Sequence, residues 1–185
     1  MAENEQEYEA LLSEVLPTAL RVALRLTNHR DDAEDLVQDT ALQAFRAFAS
    51  FTPGTNFRAW FLKILVNRFL NTKRGVARNT PSLPLDDVTE CYLFEQSRRA
   101  GLHRREDPAA LILQKVDGES ISQALRNLPD EFRAVAVLYF VEDCSYETIA
   151  QLLNCPLGTV RSRLHRARKH LQKALWSLAQ ERGLT

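Results

Sequence analysis

Between Cys155 and Leu171 the chain carries Arg161, Arg163, Arg166, Arg168 and Lys169 and no acidic residue. Cations ranged along one helix neutralise phosphate, and an arginine fork also matches the paired acceptors on a guanine edge. At about 100° per residue, Val160, Leu164, Ala167 and Leu171 fall on one narrow stripe. Ser162, His165, Arg166, Lys169 and Lys173 project from the opposite side. One face is therefore suited to packing and the other to phosphate. The preceding Ser145–Leu153 reads as a short helix with Ile149, Leu152 and Leu153 inward, and Asn154 is expected to cap the next helix with Pro156 in its first turn. Together these segments suggest a helix-turn-helix, in which the N-terminal residues of the second helix approach base edges. That nominates Arg161, Ser162 and His165 for bases, and Arg166, Arg168, Lys169 and Lys173 for phosphates. The alternative is an ordinary solvated basic helix.

A second group with chemical potential lies nearer the start. Ala49–Asn56 is a loop by its Pro53-Gly54 pair and its Ser, Thr and Asn content, and it carries one aromatic, Phe51. That ring is either a stacking surface for an unpaired base or a core residue. In the helix expected from Phe57 to about Arg74, residues Lys63, Asn67 and Arg74 share a stripe about 40° wide, a cationic line with an amide in its middle. Cations and amides beside a Phe-bearing loop suit opened DNA, the alternative being plain surface charge. Asp35 and Asp39 stand four residues apart, where like charges repel by a few tenths of a kcal/mol. A basic partner explains them; so does a merely solvated face.

The elements that must hold these groups are all helical. Leu11, Leu12, Val15, Leu16, Leu20, Ala23, Leu24 and Leu26 recur at helical spacing, with Pro17 expected to kink or divide the helix. Asp31–Phe48 opens with acids that complement a helix N-terminus. Phe57, Trp60, Phe61, Ile64, Leu65 and Phe69 supply a first core. From about Asn79 to Asp107 helical periodicity lapses among Pro81, Pro84 and Gly101, which reads as a flexible linker and implies two domains. Leu111, Ile112, Val116, Ile121, Ala124 and Leu125 resume the pattern despite Gly118, and Leu128-Pro129-Asp130 marks the next start. Phe132, Val135, Ala136, Leu138, Tyr139 and Phe140 form a second core. The expected architecture is all-α: a helical domain over 1–78, a linker over 79–107 and a helix-turn-helix domain over 108–185.

Formal net charge over the 185 residues is zero, which excludes a uniformly basic coat and requires local segregation. Acids dominate from Glu3 to Asp39, whereas Arg46 to Arg78 holds seven basic residues and no acid. Cys91, Cys144 and Cys155 form no C-x-x-C pair; packing thiols are the default, with a redox role for Cys144 or Cys155 as the alternative. No signal peptide opens the chain and no apolar run reaches the roughly 18 residues of a membrane span, so a cytoplasmic protein without membrane insertion is expected. His29, His103, His165 and His170 are scattered, and neither a nucleophile set, a phosphate loop nor a metal site emerges; no catalysis and no cofactor are expected.

Five strings in order resemble bacterial sigma factors of the extracytoplasmic-function group. Asp32-Ala-Glu-Asp-Leu-Val-Gln-Asp-Thr40 is similar to the family's polymerase-binding helix, and Phe57-Arg-Ala-Trp-Phe-Leu-Lys-Ile-Leu-Val-Asn-Arg68 to its promoter-melting helix. Leu128-Pro-Asp-Glu-Phe-Arg133, with Ser145-Tyr-Glu-Thr-Ile-Ala150 and Gly158-Thr-Val-Arg-Ser-Arg-Leu164, resembles its C-terminal DNA-binding domain. The resemblance implies a transcription initiation factor that joins core RNA polymerase through the beta-prime clamp and beta flap and recognises minus-35 and minus-10 promoter elements. It puts Asp35, Gln38 and Asp39 at the clamp, Phe51, Thr52, Lys63, Asn67 and Arg74 at the minus-10 element, and Thr159, Arg161, Ser162, His165, Arg166, Arg168 and Lys169 at the minus-35 element. An anti-sigma factor is implied as well, with apolar faces near Leu42, Phe45 and Phe140 available to it. Gly118 and a long linker depart from the family pattern, and His165 occupies a variable position expected to affect promoter choice. A free-standing helix-turn-helix regulator is the competing class, but it needs neither the cationic stripe nor the acid pair. A DNA-acting enzyme would need clustered carboxylates that the chain lacks.

Overall fold

The computed structural model describes residues 2–76 and 118–181, with side chains described for 4–72 and 122–175. The expected linker over 79–107 lies outside the described residues, as do Cys91 and the apolar positions Leu111, Ile112 and Val116. Three long helices, α1 (Ala2–Thr27), α2 (Arg30–Ala47) and α3 (Phe57–Val76), precede α4 (Gly118–Arg126), α5 (Asp130–Ala136), α6 (Tyr146–Leu153) and α7 (Leu157–Glu181). Among the described residues there is no strand. The chain divides into two compact units, the first built on Met1–Arg78 and the second containing most of the later helices.

In the first unit α1, α2 and α3 pack on one another. The buried stripe of α1 is Tyr8, Val15, Ala19, Val22, Ala23 and Leu26, whereas Leu16 and Leu24 lie outside it at 37% exposure each. The apolar periodicity therefore identified the helix but over-read its inward face. Pro17 does not divide α1, which runs unbroken through it. Its ring removes a bond to the Ser13 carbonyl, and because Ser13 and Pro17 are both exposed, water can take that carbonyl instead. Asn28 closes α1 in the left-handed conformation, φ 66°, with its N–H on the Leu24 carbonyl at 3.0 Å. α2 then starts at once, with Asp31 and Asp32 in its first turn as expected. Tyr8 ties the two helices by donating its hydroxyl to the Ala41 carbonyl at 2.6 Å.

In the second unit α7 packs against α4 and α5. Gly118 is the first described residue of α4 and is itself helical. Pro129 stands at the N-terminal boundary of α5, as the Leu-Pro-Asp string predicts. Past Ala136 the helix widens into a π turn over Val137–Val141, where the Glu142 N–H reaches the Val137 carbonyl at 3.2 Å. Phe132, Val135, Ala136, Leu138 and Tyr139 are buried as expected, and Phe140 is half-buried. Ser145 opens α6, its hydroxyl oxygen accepting the Thr148 N–H at 3.1 Å.

Candidate nucleic-acid and polymerase interfaces

The joint between α6 and α7 decides where the basic helix begins. Asn154 adopts φ 47°, and the Cys155 N–H bonds back to the Ala150 carbonyl at 3.1 Å, the pattern of a left-handed helix C-terminus. Asn154 thus ends α6 and does not cap α7, correcting the sequence expectation. Pro156 takes the boundary position, its carbonyl accepting from Thr159 at 2.9 Å and Val160 at 3.3 Å. An Asn tolerates positive φ about as well as it caps, and the following proline satisfies both readings, which is why sequence alone misassigned it.

Beyond that joint the faces of α7 separate as predicted. Val160, Leu164, Ala167, Leu171 and Leu175 are wholly buried. Thr159, Arg161, Ser162, His165 and Arg166 are half-buried, and Lys169 and Lys173 are exposed. Ser162 donates to the Thr159 carbonyl at 3.1 Å, which holds its hydroxyl close to the helix. Two arginines turn inward. Arg163 donates to the Glu131 carboxylate of α5 at 2.7 Å, an ion pair that clamps α7 to α5. Arg168, expected on phosphate, instead lies over the Tyr139 ring, 5.2 Å from its centroid, and gives Nη2 to the Tyr146 hydroxyl at 3.3 Å. Cys155 is half-buried, and burial pushes its thiol above the usual value, with Arg163 acting the other way. A raised thiol holds less reactive thiolate, which favours the packing role over the redox one.

Sequence reasoning missed Arg133. It is 9% exposed within the apolar run Phe132–Val137. Its guanidinium donates to the carbonyls of Leu125 at 3.1 Å, Arg126 at 3.0 Å and Leu128 at 2.8 Å, and pairs with Asp130 at 3.1 Å. It therefore closes the C-terminal end of α4, where a cation complements the helix dipole. Burial pulls its pKa below the usual arginine value, while Asp130 pushes it back up. The available signal was an arginine inside the apolar run Phe132–Val137.

In the first unit α3 joins the loop at its N-terminal end and meets the acid-bearing α2 further along, at Arg68. Thr52-Pro53-Gly54-Thr55 is a tight turn: Gly54 has φ 81°, and the Thr55 N–H and hydroxyl both reach the Thr52 carbonyl, at 3.2 and 2.7 Å. Asn56 caps α3 by accepting the Ala59 N–H at 3.0 Å. Phe51 is only 8% exposed, stacked on Phe48 at 5.8 Å and edge-on to Phe57 at 5.3 Å. Of its two readings, base platform and core residue, the structure shows the second. Phe51 is the buried residue of the loop, with Ala49, Ser50 and Thr52 to Asn56 exposed around it. Lys63 is exposed on α3, Asn67 is half-buried with its amide on the Lys63 carbonyl at 2.7 Å, and Arg74 lies in α3 with its side chain outside the described set.

Asp35, Gln38 and Asp39 are all exposed on α2. The carboxylate of Asp39 is ion-paired with Arg68 of α3, whose other Nη reaches Gln43 at 3.4 Å. The basic partner that the acid pair calls for is thus partly internal, Arg68 meeting Asp39, whose side chain stays 55% exposed. Leu42 and Phe45, also on α2, are large apolar side chains at 50% and 45% exposure. Among the described residues no group of His, Cys, Asp or Glu is placed to hold a metal ion.

Comparison with known proteins agrees with these two units. Residues 11–79 match the sigma-70 region 2 family and residues 110–171 the sigma-70 region 4 family. The chain is 34% identical over 176 residues to the ECF RNA polymerase sigma factor SigE of Mycolicibacterium smegmatis, covering 91% of this chain and 61% of that protein. It is 32% identical to the ECF RNA polymerase sigma-E factor of Escherichia coli, over 80% of this chain and 75% of that one. A co-crystal structure of the sigma factor RpoE with the anti-sigma factor NepR from Bartonella quintana superposes with a TM-score of 0.62 at 27% identity, over 95% of this chain and 98% of RpoE. An acid-bearing helical unit followed by a helix-turn-helix with one basic face, matched in order by both regions and by an ECF relative 32% identical over 80% of this chain and 75% of its own length, places this chain in the extracytoplasmic-function group of the sigma-70 family.

Proposed function

We propose that this sigma factor directs core RNA polymerase to promoters by reading the minus-35 element with α7 and opening the minus-10 element with α3 and the loop before it. The observation that carries the reading is α7 itself: one wholly apolar seam seated on its domain and, across from it, cations with no acid among them from Leu157 to Lys173. Arg161, Ser162 and His165 would meet base edges near the N-terminal end of the helix, and Thr159, Arg166 and Lys169 would meet phosphates. For the opened strand, Thr52 and the rest of the exposed turn are the receiving surface, with Phe51 as the core residue beneath it and Lys63, Asn67 and Arg74 along the backbone path. Domain limits of 1–78 and 108–185 around a linker of 79–107 suit this division of labour.

On the polymerase side, Asp35 and Gln38 would contact the beta-prime clamp, Asp39 joining them through its pair with Arg68, and the second unit would meet the beta flap. Exposed Leu42 and Phe45 offer an apolar patch for an anti-sigma factor of the kind bound by the Bartonella relative. No described helix is long and apolar enough to cross a membrane, and a cytoplasmic place beside the polymerase follows from the role. Nucleotide chemistry would belong to the polymerase, with this subunit supplying recognition and strand opening. Run-off transcription with purified core polymerase on a genomic promoter library is the test. Specific transcripts sharing two upstream elements support the reading; factor-independent transcription only would defeat it.

A further inference from the structure

We propose that Arg168 is the residue that sets the roll of α7, and with it the direction of Arg161, by docking on an aromatic surface made by the π turn. The proposal rests on α7 being the minus-35 helix. Arg168 Cζ lies 5.2 Å from the centroid of Tyr139 and 5.9 Å from that of Phe140, and Nη2 reaches the Tyr146 hydroxyl at 3.3 Å. The rings form one unit: Tyr139 meets Phe140 edge-on at 5.0 Å and Tyr146 at 5.4 Å. Tyr139 and Tyr146 are themselves buried, so the platform is anchored in the domain. A planar guanidinium satisfies ring face and phenol oxygen together, whereas a lysine ammonium is a hydrated point charge without that shape.

Position along the helix gives this contact its consequence. Residues seven apart lie two turns apart and only about 20° from eclipsed, so Arg168 and Arg161 share one face of α7. The buried seam is uniformly aliphatic, Val160, Leu164, Ala167 and Leu171, and non-directional apolar contacts permit small rotations. A hydrogen bond and two ring contacts at one angle do not. Arg163, paired with Glu131, fixes the opposite side of the seam, and together the two arginines bracket it.

The experiment uses the full chain, alone for hydrogen exchange and with core polymerase for competition binding to promoter DNA selected by the wild-type holoenzyme. Arg168→Lys and Tyr146→Phe accompany Arg168→Ala, because both keep most of the packing. Expected for Arg168→Lys is faster exchange at amides 159–165 and a roughly fivefold loss of discrimination at the Arg161-dependent base, with the salt slope of binding unchanged. Tyr146→Phe should show the same in weaker form. Arg166→Ala and Lys169→Ala should do the reverse, each lowering the slope by about 0.9 while keeping base preference. Wild-type exchange and discrimination in Arg168→Lys would overturn the proposal, as would a salt slope lowered by about one ion in Arg168→Ala. If the wild-type holoenzyme makes no minus-35 discrimination, the reading of α7 falls, and exchange at amides 159–165 then decides the Arg168 contact alone.

Discussion

At the scale of single residues, like types in one short stretch take up different tasks according to what the fold puts beside them. Arg161, Arg163 and Arg168 sit within eight positions, yet Arg163 is committed to Glu131 and Arg168 to an aromatic surface. Arg161, in the first turns of α7, is the arginine proposed for base edges, and Arg161→Ala is expected to relax minus-35 preference, costing about 1–3 kcal/mol at the contacted base, as read by promoter competition. The acids divide in the same way. Asp35→Lys should weaken binding to core polymerase by roughly tenfold, whereas Asp39→Lys acts first on Arg68 and costs the fold only about 0.5 kcal/mol, since the pair is surface-exposed. The exchange Asp39→Arg with Arg68→Asp should recover thermal stability and keep polymerase affinity above that of Asp35→Lys. Equal polymerase affinities for the Asp35 and Asp39 single variants would contradict this division.

At the scale of elements, each unit has one polar tie that the apolar seams do not replace. Tyr8 is buried among Phe45, Phe48 and Phe57, and that burial pushes its phenol up from 10.0 to about 12, despite a backbone hydrogen bond at Phe45 that acts the other way. A raised pKa means the neutral form is favoured in the folded state, so this contribution is whole below pH 10 and is lost as pH rises through about 12. Tyr8→Phe should cost about 1 kcal/mol near neutrality and flatten the alkaline limb of a urea-unfolding series between those pH values. In the second unit, Arg133→Ala strips donors from three carbonyls at the end of α4 and leaves Asp130 without its cation. An expected loss of about 3 kcal/mol or more, with Arg133→Lys failing to restore it, is measurable by thermal unfolding.

For the whole molecule, zero net charge and function on DNA are reconciled by segregation: acids on the first two helices, cations on α3 and α7. The two recognition surfaces proposed for the separate units predict two separable defects. Asn67→Ala should leave closed-complex affinity within about twofold and reduce opening, read by permanganate reactivity of the minus-10 strand. Base changes in the minus-35 element should do the opposite. Equal effects of both on closed-complex binding would mean that the two units do not divide recognition from opening.

Much of this was determined by the sequence alone, because it depends on local order. Helical periods, the Leu128-Pro129 boundary, the Pro53-Gly54 turn and the apolar seam of α7 are properties of neighbours within a few positions. So were the two-unit organisation and the family resemblance, whose strings lie in contiguous stretches. What only the tertiary structure decided is how side chains distant in sequence meet. Arg68 finds Asp39 across 29 positions, Arg163 finds Glu131 across 32 and Arg168 finds Tyr146 across 22. Phe51 could not be assigned from its loop, since being exposed or buried depended on whether Phe48, Phe57 and Trp60 converged on it. Asn154 was ambiguous for a different reason: capping and left-handed φ draw on the same side chain, and only the Cys155-to-Ala150 hydrogen bond separates them. Periodicity locates a helix and most of its inward face; the partner waiting there is a property of the folded chain.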